Sequence, residues 1–108
     1  MDYDRLLNLT TDLGYQLMAS GAEIYRVEES MHRVLNAYGL ERPEVFAIPN
    51  CVAVSFVTPN TKPLTIMKRV GYHGNDLERI EKLNALSRRI CAEVPDPETA
   101  QRWLKETT

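Results

Sequence analysis

The apolar residues of this chain change their period twice, and no other feature restricts the fold as much. Up to Gly39 they recur every three or four residues. From Val45 to Val70 they gather in short β-branched runs or alternate, and beyond Asn75 the helical spacing returns. A period near 3.6 marks an amphipathic helix, whereas alternation or a short continuous run marks a strand. The predicted order is therefore α-α-β-β-β-α-α.

The first helix is expected from about Asp4 to Ala19, with Leu6, Leu9, Leu13 and Leu17 on one face. Ser20-Gly21 breaks it. Ser20 then reads as the N-cap of a second helix, Ala22 to Tyr38, with Glu23 completing a Ser-x-x-Glu capping box. Ile24, Val27, Met31, Val34, Leu35 and Tyr38 form the apolar stripe of that helix. Gly39 ends it, because glycine tolerates the left-handed conformation. Val45–Ile48, Cys51–Thr58 and Leu64–Val70 read as strands, with turn residues Pro49-Asn50 and Pro59 to Pro63 between them. Short connections between successive strands predict an antiparallel meander. Gly71 to Asn75 reads as a connecting loop, after which Asn75 or Asp76 caps a third helix reaching about Ala92. Asp96-Pro97-Glu98 starts the last helix, with Asp96 at the cap and proline at the first position. The class is α/β in the α+β sense: a small, mainly antiparallel sheet with helices on one or both faces.

At 108 residues and 12.4 kDa, residues 1–108 are expected to form a single soluble domain that needs no metal or disulfide to bury a core. Thirteen Lys and Arg against fifteen Asp and Glu leave a net charge of −2. That balance offers no basic surplus to neutralise phosphates and argues against nucleic acid as a partner. Cys51 and Cys91 lack CxxC spacing and read as reduced, half-buried thiols. The acidic Met1-Asp2-Tyr3-Asp4 start does not resemble a signal peptide, and no stretch approaches the ~20 apolar residues of a membrane span.

The third helix carries an anomaly. Leu77, Ile80, Leu83, Leu86, Ile90 and Cys91 share a broad apolar side, yet Asn84 and Ser87 fall within it and stack three residues apart. Such groups need partners or cost about 1–3 kcal/mol each. They either contact a ligand or neighbouring domain, or Asn84 bonds a loop carbonyl and Ser87 its own helix. At the start of the second helix, Glu23 is favoured by the helix dipole without any ligand. Arg26 there has the fork geometry to grip a carboxylate, although it lies on the solvent side. His32, one turn after Glu28, suits a surface pair with it. A Cys51–His73 nucleophile pair is conceivable, with no GxSxG, HExxH or glycine-rich phosphate loop to support it. Two histidines are too few for a zinc site of the usual kind. Trp103 reads as a core or interface residue.

Ser20-Gly21-Ala22-Glu23-Ile24-Tyr25-Arg26-Val27-Glu28 is similar to the SGAEIYRVE block of the threonine/serine exporter family. The likeness continues in order through Gly39-Leu40, the strand pair from Val45 to Thr58, and Lys68-Arg69. It closes on Leu83-Asn84-Ala85-Leu86-Ser87-Arg88-Arg89, which resembles the family's LNxLSR segment, and spans about Leu6 to Leu104. The resemblance implies a hydrophilic N-terminal domain on the cytoplasmic side of the cell membrane. In the family this domain is followed by membrane helices, which this chain does not include. Family members export small amino acids, or dicarboxylates such as succinate in a two-component branch. The implied partners are membrane helices of the same or a companion protein, a small amino acid or dicarboxylate, and further copies in a homo-oligomer. Glu23, Arg26, Asn50, Arg69, Asn84 and Ser87 are the candidate substrate-binding or interface residues. No catalytic residue, metal or cofactor is implied, and the expected role is gating, substrate access or assembly rather than turnover. Two alternatives stand beside it. One is a small hydrolase using Cys51 and His73, since the family's hydrophilic domain has been likened to hydrolases. The other is a free-standing regulatory module that binds a protein partner.

Overall fold

In the computed structural model, which describes residues 1–71 and 73–108, four helices and three strands follow the expected order. Tyr72, within the loop expected from Gly71 to Asn75, lies outside the described residues. Helix α1 (Tyr3–Ala19) is capped by Asp2, whose carboxylate accepts the Arg5 backbone N–H at 3.0 Å. Leu6, Leu9, Leu13 and Leu17 are buried as their spacing predicts, and so are Leu7 and Met18 beside them. The extra breadth has a cause: α1 packs against every other element except β1. Thr10 and Thr11 are buried there too and donate their hydroxyls to the carbonyls of Leu6 and Leu7, at 2.9 and 2.8 Å.

The end of α1 departs from expectation. Ser20 is the C-cap of α1, with φ −85° and ψ −3°, and not the N-cap of the second helix. Gly21 N–H donates to Met18 and Ala22 N–H to Leu17, the paired bonds of a Schellman ending with glycine in the left-handed position. Ser20 itself remains in the helical region and spends its own N–H on the Gln16 carbonyl at 3.0 Å, the donor that Glu23 would need, so the Ser20–Glu23 box does not form. Helix α2 (Ile24–Ala37) instead starts at Glu23, which makes no side-chain cap bond. Gly39 does terminate α2 as predicted, through the same ending: Gly39 N–H to Asn36 and Leu40 N–H to Leu35. The expected Glu28–His32 pair is absent. His32 Nδ1 lies 3.0 Å from Asn36 Nδ2, and Glu28 Oε2 accepts the Ala47 backbone N–H at 3.0 Å.

That Glu28 bond ties α2 to the sheet. Strands β1 (Glu44–Ile48), β2 (Cys51–Val57) and β3 (Pro63–Arg69) form an antiparallel meander in the order β1-β2-β3. Val52, Val54, Phe56 and Ala47 point to the core, against α1 and α2. The opposite face carries three cross-strand rows: Glu44–Ser55–Thr65, Phe46–Ala53–Met67 and Ile48–Cys51–Arg69. None of the described helices covers it, so Phe46 is 65% and Met67 73% exposed. Helices therefore occupy one face only.

Asp76 caps helix α3 (Leu77–Glu93), accepting the Arg79 N–H at 3.0 Å. Just before it, Gly74 N–H bonds the Ala19 carbonyl at 2.7 Å and Asp76 N–H the Ser20 carbonyl at 2.9 Å. The beginning of α3 is thus fastened to the end of α1. This placement corrects the reading of Leu77, which is 72% exposed: it opens α3 directly after the segment fastened to the end of α1. Helix α3 closes on Val94, a β-branched residue at φ +43°. Helix α4 (Pro97–Thr107) is capped by Asp96 and begins with Pro97, as predicted, and buries Ala100 and Leu104. Trp103 is half-buried, with the Arg89 guanidinium 3.6 Å above its ring.

Candidate functional site

Helices α2 and α3 pack through apolar residues at their shared base, where Val27, Met31, Val34, Leu83 and Ile90 are all buried. Above that seam each helix presents a polar stripe. On α2 it is Arg26, Glu29, Ser30 and Arg33; on α3 it is Asn84, Ser87, Arg88 and Cys91. Both follow the i, i+3, i+4, i+7 rule for one helical face. Facing each other, and joined by Ala92, they line an open groove of about 400 Å³.

Three of the six candidates from sequence, Arg26, Asn84 and Ser87, meet in this groove. Ser87 is only 6% exposed, but its hydroxyl is not a sealed-off atom: it makes no hydrogen bond to the described residues and stays open to solvent in the groove. Thr10, Thr11 and Thr107, by contrast, all bond a carbonyl one turn back in their own helices. Asn84 likewise makes no side-chain bond to the described residues, so neither the loop carbonyl nor the own-helix bond considered for this pair is present. Both polar groups are left facing the groove.

The electrostatics lean one way. Three guanidinium groups line the groove against one carboxylate, Glu29, which is taken by Arg33 at 2.8 Å. Arg26 and Arg88 have no ion-pair partner among the described residues. The groove is thus locally cationic in a chain whose net charge is −2. Burial pushes the Cys91 thiol up, with Arg33 pulling weakly the other way. Guanidinium forks beside a hydroxyl and an amide form a set suited to a small carboxylate or other oxyanion.

The remaining candidates lie elsewhere. Asn50 and Arg69 come together at the β1–β2 turn, where the Asn50 carbonyl accepts the Val70 N–H at 2.8 Å. Asn50 adopts φ +71°, a conformation asparagine tolerates in tight turns. Cys51 lines the same open depression, whereas His73 does not. The Cys51 thiol instead lies 3.8 Å from the Val52 carbonyl, and both cysteines are free. Glu23 is exposed at the head of α2 and lines neither place. Among the described residues no three His, Cys, Asp or Glu side chains gather as metal ligands would.

Sequence reasoning did not single out Glu29, Ser30 and Arg33 of α2 as site residues, and it named Arg88 and Cys91 of α3 only as part of their helix. The signal existed in the polar stripe of α2, but such a stripe normally marks a solvated face. Among the described residues no helix is long and apolar enough to cross a membrane. Neither the curated proteins nor the solved structures contain a match to the chain. A protein-family model described as "Putative threonine/serine exporter" matches residues 8–108, from the middle of α1 through α4 and so including both helices of the groove. The chain belongs to that threonine/serine exporter family.

Proposed function

We propose that this chain is a cytoplasmic-side domain of a membrane exporter of threonine, serine or related small carboxylates. Its α2–α3 groove receives the carboxylate of the cargo on the way to the membrane-spanning part. Arg26 and Arg88 grip that carboxylate, while Asn84 and Ser87 orient the rest of the molecule. One observation carries the reading: two guanidinium groups without a carboxylate partner among the described residues, Arg26 (5.5 Å from the Tyr25 ring centroid) and Arg88, face a polar pair that makes no side-chain bond to those residues. Family membership supplies the cargo class. The role is binding and gating, without turnover, and Glu23, Asn50 and Arg69, which lie outside the groove, remain interface candidates.

Nuclear magnetic resonance titration of the chain with threonine, serine and succinate tests this, with inorganic phosphate as the comparison anion. Backbone shifts should cluster on α2 and α3 around Arg26 and Ser87. Arg26→Gln and Arg88→Gln should each weaken binding by about tenfold or more, the loss expected for one charge-assisted bidentate contact. Shifts scattered over the surface, or none at concentrations of about 20 mM, would remove the groove from the transport path. In the exporter that carries this domain, Asn84→Leu should preserve folding and lower export.

A further inference from the structure

The sheet face turned away from the helices has an arrangement of its own. Its middle row, Phe46–Ala53–Met67, is apolar and Ile48 continues it at the β1 corner of the last row; Phe46, Met67 and Ile48 are 65%, 73% and 49% exposed, and contiguous apolar area of this kind marks an interaction surface. Its two charged corners lie on a diagonal. Glu44 occupies the β1 corner in the first row, and Arg69 the β3 corner in the last.

We propose that this face is a two-fold interface between two copies of the chain, with their strands crossing at nearly a right angle. The symmetry follows from where the charges stand. A two-fold axis along the strands sets Glu44 opposite Thr65, and one across them sets it opposite Ile48; both leave the corner charges unpaired. An axis through the Glu44 and Arg69 corners sets each against its own copy, like charge on like. Only the other diagonal brings Glu44 of each copy onto Arg69 of the other. That same axis rests Phe46 on the small Cys51 and Met67 on the small Ser55 of the second copy. Large side chains then fill the space left by small ones, and Ile48 meets its own copy on the axis.

A second copy fits this face better than a lipid surface does, because both charge signs and the Ser55–Thr65 hydroxyl pair (2.8 Å apart) stand on it. Strand spacing and rise make the face roughly 14 Å by 23 Å. With side chains standing off the plane, a pair buries on the order of 1,000 Å², the lower limit for a specific interface, so micromolar association is expected.

Sedimentation velocity on the chain from about 5 to 500 μM reads this directly. The average mass should climb from 12.4 kDa toward that of a dimer. Phe46→Lys should abolish the rise while circular dichroism stays unchanged. Glu44→Lys and Arg69→Glu should each weaken association by about fivefold or more, and combining them should restore it to within about threefold. A monomer throughout the range, or a dimer indifferent to these variants, overturns the proposal. Failure of the combined charge swap to recover association also overturns it. So does flotation of the monomeric chain with anionic lipid vesicles that depends on Phe46 and Met67, since the face would then belong to the membrane.

Discussion

Replacing Gly21 by alanine separates two contributions to stability that meet at one residue. Gly21 holds φ +94°, a conformation that costs an L-residue about 1–2 kcal/mol. An added Cβ would also lie 2.6 Å from the Gly74 carbonyl oxygen and 3.2 Å from Asn75 Cα. Those are backbone atoms, so relief requires the 74–76 segment to move. Movement weakens the Gly74–Ala19 and Asp76–Ser20 bonds that fasten α3 to α1, each worth about 0.5–1.5 kcal/mol. Alanine returns about 0.4–1 kcal/mol by restricting the unfolded chain, which leaves a net loss of about 2–4 kcal/mol. At this chain length the melting temperature should fall by roughly 8–16 °C. Gly39 provides the internal comparison: φ is +89°, but no atom of the described residues lies within 4 Å of its would-be Cβ. Gly39→Ala therefore carries strain alone and should lose only about 0.5–1.5 kcal/mol. Thermal melts followed by circular dichroism measure both. If Gly21→Ala melts no lower than Gly39→Ala, the close approach of the 74–76 segment contributes nothing and the reasoning fails.

Three further measurements address other parts of the fold. Tyr38 donates its hydroxyl to the Pro95 carbonyl at 2.6 Å, and burial, followed by the nearby Asp96 charge, pushes its pKa up to about 12. Because the folded value exceeds the unfolded 10.0, its contribution is complete below pH 10 and is lost as pH rises through 12. Tyr38→Phe should flatten the stability profile in that window and cost about 0.5–1.5 kcal/mol at neutral pH, read by urea unfolding at both pH values. Val94→Gly should stabilise by about 0.5–1 kcal/mol, since relief of the left-handed β-branched residue outweighs the added chain entropy; a lower urea midpoint would contradict this. With Cys51→Ser in place, Cys91 should alkylate slowly at neutral pH and more slowly still with saturating carboxylate ligand, as mass spectrometry would record.

The order of elements was legible because each depends on local spacing. Leucines three and four apart make α1 wherever it packs, and the β-branched run after Asn50 makes β2. Gly39 and Asp96-Pro97 announce an end and a start through backbone geometry alone. Ser20 misled because two local signals compete there, a serine that can open a helix and a glycine that can close one. The closing bonds from Gly21 and Ala22 win, since α3 docks at the same point and holds Ala19 and Ser20 through their carbonyls.

The candidate site divides along the same line. Its apolar base and the anomaly of Asn84 and Ser87 are properties of single helices, so the sequence by itself determined them. The meeting of Arg26 with Ser87 and Arg88 in one groove, the depression that Cys51 lines without His73, and the exposure of Leu77 were decided only in three dimensions. Each depends on how one helix crosses another or where a helix ends, and those positions are set by the burial of Val27, Met31, Leu83 and Ile90. Burial is a property of the packed whole, summed over elements distant in the chain, and no local spacing encodes it.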